Sequence, residues 1–228
     1  MVTIFSVSKK TKERLYGPTS AVFLIVIVFY LIQLILALFS EISAPLFDLS
    51  AAILLLLFAL VLHLLVGFKR TVPIFLCIGL FFNIIGLYPI IPYNELYTGT
   101  LYGASQLNYH YDWIVHSVGF GFFALAFSSV LYPYTKKSFK SAYMIFIVIL
   151  LAMMGFGAIN EINEYLGFTV FGYGKGFMEF GEGDFSPYGG PWQNSSMDLI
   201  NNLLGGVVFI GAFVLEKKYH FFTKKTLS

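Results

Sequence analysis

The sequence contains a single cysteine and few charged residues. One cysteine excludes an internal disulfide and a thiolate metal cluster, and because Cys77 lies in an apolar run we interpret it as an inert packing residue. Only 11% of the residues are charged, whereas a typical soluble domain has about 25%. No repeat of fixed period and no low-complexity tail can be recognised. The composition therefore argues against a soluble globular protein.

Long apolar runs dominate the sequence. Hydrophobic residues make up 58% of the chain, and the mean hydropathy is +0.80. A helix of about 20 residues is long enough to cross the roughly 30 Å hydrocarbon core of a bilayer. The sequence thus predicts an all-α fold, a polytopic transmembrane bundle with about six spans. These spans lie near residues 18–40, 49–68, 71–91, 111–132, 141–167 and 196–215.

The basic residues predict the orientation of this bundle. If both termini are cytoplasmic, 13 of the 14 Lys and Arg residues lie in inside segments, and only Lys175 lies outside. Basic residues favour the cytoplasmic side of a membrane. We therefore expect a multi-pass protein of the cell membrane with a cytoplasmic segment at 1–17, a membrane domain at 18–216 and a basic cytoplasmic tail at 217–228. Because the basic residues stand in small groups beside apolar runs, nucleic acid is not expected as a partner.

Ionisable residues concentrate at one end of spans four to six. Asp112 and His116 are four residues apart and share a helical face, and Glu161 and Glu164 are neighbours at a spacing of three. Asp198 stands near the start of span six. At 1.5 Å per residue, the acidic groups of all three spans lie about 28 to 32 Å from the cytoplasmic side. We therefore expect His116, Glu161 and Asp198 to converge within about 10 Å near the outer surface.

Clustered carboxylates in a medium of low dielectric need a neutralising partner, which could be a divalent cation, retained protons or a cationic ligand. Carboxylates and an imidazole suit a hard or borderline divalent ion, and such an ion can polarise an ester or activate water. A buried hydrogen-bond network that fixes helix packing is the alternative. The catalytic candidates are Asp112, His116, Glu161, Glu164 and Asp198, of which all but Glu164 are also metal-ligand candidates, with Asn202 and Gly205 in support.

The other histidines and the outside segments have separate interpretations. His63 lies nearer the cytoplasmic end and has no acidic neighbour in sequence, which indicates a packing role. His110 is either a supplementary ligand or an interfacial residue, and His220 is expected to be solvated. The aromatic segments 92–110 and 168–195 are either interfacial belts or a cap over an outward-facing pocket.

The arrangement D-x-x-x-H, E-x-x-E and D-x-x-x-N-x-x-G in successive spans resembles that of VanZ-like membrane proteins. The first spans are better matched by YjdF-type inner-membrane proteins, and VanZ-like proteins often have Gln at the position of Glu164. The resemblance covers spans four to six, about half of the chain. It implies a site at the matching positions and does not imply a particular reaction. These positions are Asp112, His116, Glu161, Glu164, Asp198, Asn202 and Gly205.

Three functions remain open. The first is an intramembrane hydrolase or transferase that acts on a lipid-type or small-molecule ligand at the outer face, with His116 as the natural proton shuttle. The second is a cation- or proton-coupled transporter or binding protein. The third is a non-catalytic membrane accessory protein. A transporter needs access from both faces, and the strong polar groups stand at one level, which favours an outward-facing site among the membrane lipids.

Overall fold

The computed structural model describes residues 8–39, 46–87, 111–171 and 191–220. Every regular element within these ranges is helical, in agreement with the all-α prediction. A short π-helical segment, Val115–Gly119, connects two of the helices. In chain order the helices are α1 (Lys9–Leu15), α2 (Pro18–Phe39), α3 (Leu46–Val66), α4 (Thr71–Leu87), α5 (Tyr111–Ile114), α6 (Phe120–Ser138), α7 (Ala142–Phe171) and α8 (Pro191–Tyr219).

Five stretches of helix in the described ranges are long and apolar enough to cross a membrane. They are Pro18–Phe39, Leu49–Val66, Asp112–Ser138, Ala142–Leu166 and Ser195–Tyr219. A shorter apolar helix, Thr71–Ile85, occupies the position of the predicted third span. The last four residues of that prediction, 88–91, lie outside the described residues. The protein thus has several membrane-spanning helices, while the sixth span and the orientation of the bundle remain predictions.

The outer surface of the bundle is apolar. On α2, Ile25, Val28 and Ile32 are 69%, 53% and 49% exposed. Contiguous apolar surface of this kind is rare on soluble monomers. Lipid chains are its natural solvent, because a transmembrane helix satisfies its backbone hydrogen bonds internally. The exposed faces therefore agree with the membrane location predicted from hydropathy.

Close helix contacts fix the part of the bundle that holds the polar residues. Helices α6, α7 and α8 pack against one another, and α4 packs against α6. Gly205 of α8 lies so close to the backbone carbonyl of Ser117 that a Cβ atom at position 205 would clash with its oxygen. On the opposite side, a Cβ atom on Gly79 of α4 would lie 2.8 Å from the carbonyl oxygen of Gly119. Small residues permit such approaches of helix backbones, and here they hold the π segment between α4 and α8.

The N-terminal helix is attached to the end of α3. The Nη1 atom of Arg14 donates hydrogen bonds to the carbonyl oxygens of Leu64 and Leu65, at 2.8 and 2.6 Å. Gly67 follows with φ of 86°, in the left-handed region that often terminates a helix. The last carbonyls of a helix have no partner within it. Arg14 therefore satisfies groups that the end of α3 leaves unpaired.

Candidate functional site

The polar residues selected from the sequence lie inside the bundle. Asp112 belongs to α5, His116 to the π segment, Glu161 and Glu164 to α7, and Asp198 to α8. None of the five is more than 8% exposed, and Asp198 is completely buried. An ionisable group at membrane depth costs several kcal/mol unless it is paired or hydrated. The fold therefore brings buried ionisable side chains from three separate stretches of the chain together in one place.

One nitrogen of His116 faces two aspartates. Nε2 lies 3.2 Å from Oδ1 of Asp112, at hydrogen-bond distance, and 3.9 Å from Oδ1 of Asp198. Asp112 stands four residues before His116, so that both side chains occupy the same face. Asp198 approaches from α8. The Nε2 side thus presents carboxylate oxygens from two different helices.

The other nitrogen of His116 faces an amide and a glutamate. Nδ1 lies 3.2 Å from Oδ1 of Asn202 and 3.8 Å from Oε1 of Glu161. Within the described residues, both carboxylate oxygens of Glu161 lack a hydrogen-bond partner. The Nδ2 atom of Asn202 lacks one as well. Glu164 differs, because its Oε1 accepts a hydrogen bond from Nδ2 of Asn160 at 2.5 Å. Buried polar groups are normally satisfied, so the atoms around Nδ1 are unusual.

The backbone at His116 departs from the α-helix. The N–H of Phe120 donates to the carbonyl of Val115, five residues earlier, as in a π turn. Oγ of Ser117 donates to the carbonyl of Trp113 at 2.6 Å and so satisfies a backbone acceptor beside that turn. Single π turns within α-helices occur frequently at functional sites. This turn places His116 where residues of α7 and α8 can reach both of its nitrogens.

Two overlapping groups of side chains have the spacing of a cation site. One consists of Asp112, His116 and Asp198, and the other of His116, Glu161 and Glu164. Within each group the ligand atoms lie within 4.8 Å of one another. A divalent ion with ligands at about 2.0 to 2.6 Å fits between atoms at such separations. His116 belongs to both groups.

An aromatic layer lies next to the site, towards the basic ends of α6 and α8. Phe120 and Phe123 of α6 both contact Phe156 of α7, with ring centroids 6.0 and 6.3 Å apart. Phe120 and Phe123 also contact each other at 5.8 Å. The rings form a continuous apolar group directly after the π segment. Aromatic side chains thus follow the polar site along α6 and α7.

A family model described as a predicted membrane protein (DUF2238) matches residues 19–218. The chain belongs to this DUF2238 family. No curated protein and no solved structure matches the chain. The family match confirms the expectation of a membrane protein family, whereas the narrower names VanZ-like and YjdF-type remain hypotheses.

In this DUF2238 protein the structure brings together all five catalytic candidates and the supporting Asn202 around one imidazole. Gly205 does not face the imidazole and instead allows α8 to approach the backbone of Ser117. His110 lies outside the described residues, as does the whole of segment 92–110. Both ends of segment 168–195 are helical, because α7 continues to Phe171 and α8 begins at Pro191, and residues 172–190 lie outside the described residues.

One partner of the site did not stand out in the sequence, and two histidines lie as their sequence context indicates. Asn160 was not selected, although its position four residues before Glu164 is the spacing of a helical hydrogen-bond pair. His63 is 4% exposed, and its Nδ1 accepts a hydrogen bond from the N–H of Phe68 at 2.8 Å, in agreement with a packing role. His220 is exposed, as expected.

Proposed function

We propose that this protein is a metal-assisted hydrolase or transferase that acts on a lipid-type substrate at the outer leaflet. Its metal ligands and acid/base groups are Asp112, His116, Glu161, Glu164 and Asp198. The observation that carries the proposal is the buried imidazole of His116, both of whose nitrogens face oxygen acceptors. A neutral imidazole has one N–H group and one lone pair. One nitrogen therefore needs either a second proton or a bound cation, and we propose a bound cation.

The chemistry of the ligands supports a metal ion in this role. Carboxylate oxygens and an imidazole together suit divalent ions such as Mn²⁺ and Zn²⁺. Such an ion can polarise the carbonyl or phosphoryl oxygen of an ester and can lower the pKa of bound water. Glu161 has no hydrogen-bond donor among the described residues, so its carboxylate is available to accept a proton from water or from a substrate hydroxyl. A carboxylate next to a bound ion is the arrangement that hydrolysis or group transfer requires.

A lipid-type substrate is supported by the apolar surface beside the site. Ile159 and Ile162, which flank Glu161 on α7, are 66% and 59% exposed. An acyl chain can lie against these residues while its polar head approaches the site. The orientation expected from the basic residues places this end of the bundle at the outer leaflet. We also propose that the protein is related to the VanZ-like and YjdF-type proteins, because the motifs that resemble theirs contain these same site residues.

Transport is the second function that these side chains allow, and the aromatic layer disfavours it. Phe120, Phe123 and Phe156 contact one another and lie along α6 and α7 between the site residues and the other end of the bundle. A transported ion would need polar groups on both sides of this layer. The layer therefore favours a site that opens on one side only.

The proposal is tested with purified protein in vesicles of phosphatidylethanolamine and phosphatidylglycerol. After treatment with a chelator, Mn²⁺ or Zn²⁺ is restored, and the lipid products are identified by mass spectrometry. We expect metal-dependent cleavage or headgroup exchange, and a loss of roughly 100-fold or more in Asp112→Asn and Asp198→Asn. Glu13→Gln, which changes an exposed carboxylate in α1, is the matched control and should retain full turnover.

Two results would contradict this function. Turnover that is the same with and without the ion would exclude metal assistance. Uptake of the ion into sealed vesicles without any lipid product would instead establish transport. Thermal unfolding in detergent accompanies every variant, because the loss of one partner from a buried network also lowers stability.

A further inference from the structure

We infer that one divalent transition-metal ion binds on the Nε2 side of His116, between Asp112 and Asp198, and that Asn202 is the residue that positions this nitrogen for it. The placement rests on the proposed function and specifies where the site holds its ion. Asn202 acts through His116 and is therefore a positioning residue rather than a ligand. Glu161 then lies on the opposite side of the imidazole, where it stays available for acid/base chemistry.

The surroundings of Nδ1 determine which nitrogen carries the proton. Oδ1 of Asn202 and Oε1 of Glu161 approach Nδ1 to 3.2 and 3.8 Å. An amide oxygen and a carboxylate oxygen both accept hydrogen bonds. A lone pair at Nδ1 would face two oxygens and be repelled by both, whereas an N–H group donates to the nearer one. Two carboxylates face Nε2, and they attract a divalent cation more strongly than the neutral amide at Nδ1 does. With an ion bound between the two aspartates, the proton of a neutral His116 is on Nδ1 and the lone pair of Nε2 binds the ion.

The lone pair on Nε2 points into a pair of carboxylates. Oδ1 of Asp112 is 3.2 Å from Nε2, and Oδ1 of Asp198 is 3.9 Å away. These three residues also meet the distance requirement of a common ion, since one ligand atom from each lies within 4.8 Å of the others. A histidine that binds a metal through one nitrogen usually donates its other N–H to an oxygen acceptor, which fixes the ring. Asn202 provides that acceptor here.

A hydrogen-bond network that serves only helix packing would satisfy its buried members. Glu161 is 3% exposed and directs an unpartnered carboxylate at the imidazole, within the described part of the chain. Asn202 is 0% exposed, and its Nδ2 atom is likewise unpartnered there. The cluster therefore retains polar atoms that packing leaves unused. Because these atoms lie on the Nδ1 side of the ring, they are available to water or substrate rather than to the proposed ion.

The ligand set selects a class of ion. Mg²⁺ and Ca²⁺ prefer oxygen ligands, and Mg²⁺ also retains several waters. An imidazole nitrogen beside two carboxylates suits Mn²⁺ or Zn²⁺ better. We therefore expect Zn²⁺ to displace bound Mn²⁺ and Mg²⁺ to fail to do so at equal concentration.

The test uses the full chain in detergent, stripped with a chelator and titrated with Mn²⁺ while free Mn²⁺ is measured by electron paramagnetic resonance. Wild type should bind one ion per chain. Asn202→Leu should bind it 10- to 100-fold more weakly, the range known for lost partners of metal-bound histidines. Asn202→Asp should bind at least as tightly as wild type, because a carboxylate also accepts the Nδ1–H bond. The matched control is Asn201→Leu, since Asn201 donates only to the carbonyl of Met197 among the described contacts, at 3.0 Å.

A second pair of variants tests the side of the ring without depending on Asn202. Asp198→Asn should abolish Mn²⁺ binding, whereas Glu161→Gln should retain it. The placement is overturned if Glu161→Gln loses the ion while Asp198→Asn keeps it, if Asn202→Leu binds as well as Asn201→Leu, or if two ions bind per chain. In those cases metal binding itself, and with it the proposed function, still stands. Wild-type protein that binds neither Mn²⁺ nor Zn²⁺ would instead overturn both.

Discussion

The imidazole of His116 and the carboxylate of Asp112 lie 3.2 Å apart, although the helix type changes between them. Asp112 belongs to α5, which ends at Ile114, and His116 is the second residue of the π segment. A π turn contains one residue more than the α-helical hydrogen bond spans. This chain therefore has an additional residue in the turn that brings its buried histidine to the acidic residues.

Deletion of Val118 tests the role of this turn. Removing one residue should restore a regular α-helix and narrow the turn that holds His116, because the π turn contains one residue more than an α-helical turn. We expect Mn²⁺ binding to weaken by at least roughly tenfold, with helical content by circular dichroism unchanged. Deletion of Ala126, in the regular part of α6, should instead lower the yield of folded protein. Mn²⁺ binding at wild-type strength after deletion of Val118 would show that the π turn is dispensable.

Replacing Glu161 should stabilise the protein when no metal is present. Its carboxylate is buried and has no donor among the described residues, so Glu161→Met removes an unsatisfied group and should raise the free energy of unfolding by about 1 to 3 kcal/mol. Glu164→Met should lower the free energy of unfolding by about 1 kcal/mol, because it removes the acceptor of the Asn160 hydrogen bond. Thermal unfolding in detergent with a chelator measures both. If both variants are destabilised, the two carboxylates serve packing.

Two glycines in the same part of the bundle should respond differently to alanine. Gly205→Ala places a methyl group against the carbonyl oxygen of Ser117, and since backbone cannot move aside easily, we expect a loss of about 1 to 3 kcal/mol and weaker ion binding. At Gly155 a Cβ atom would meet nothing within 4 Å, so Gly155→Ala should leave stability and binding unchanged. Unfolding curves for the pair give the comparison. Equal stability of the two variants would contradict the close contact between α8 and the π segment.

The orientation is open to a labelling experiment. In a Cys77→Ser background, single cysteines are introduced as Thr100→Cys, Phe180→Cys and Lys137→Cys. A membrane-impermeant maleimide applied from outside should label positions 100 and 180 in intact cells and should label position 137 only after the cells are opened. Labelling of position 137 in intact cells would reverse the predicted topology.

Much of the site was predictable because helices give simple distances. The four-residue spacing of Asp112 and His116 indicates a shared face, and counting residues along three spans places Glu161 and Asp198 at the same depth. Both steps use only local geometry and a constant rise per residue. They led to the group that the structure brings together, before any contact between helices was known.

What the sequence did not reveal depends on contacts between distant segments. The π turn at Val115–Gly119 lies where α4 and α8 approach through Gly79 and Gly205, and no local pattern marks that approach. Gly79 was not selected, because it lies in an ordinary apolar run. The unsatisfied atoms of Glu161 are also invisible in a sequence, since they follow from what the neighbouring helices fail to provide.

Arg14 is both a predicted topology signal and a hydrogen-bond donor in the folded protein. It is one of the basic residues from which the cytoplasmic side of the first span is predicted, and the same guanidinium binds carbonyl groups at the end of α3, 50 residues further along the chain. Those carbonyls have not yet been synthesised when the first span emerges from the ribosome. If Arg14 orients α2 as the basic residues predict, it does so before these hydrogen bonds can form. In the predicted topology Arg14 thus has two roles, as one of the basic residues that orient the first span and as the donor that attaches α1 to the end of α3.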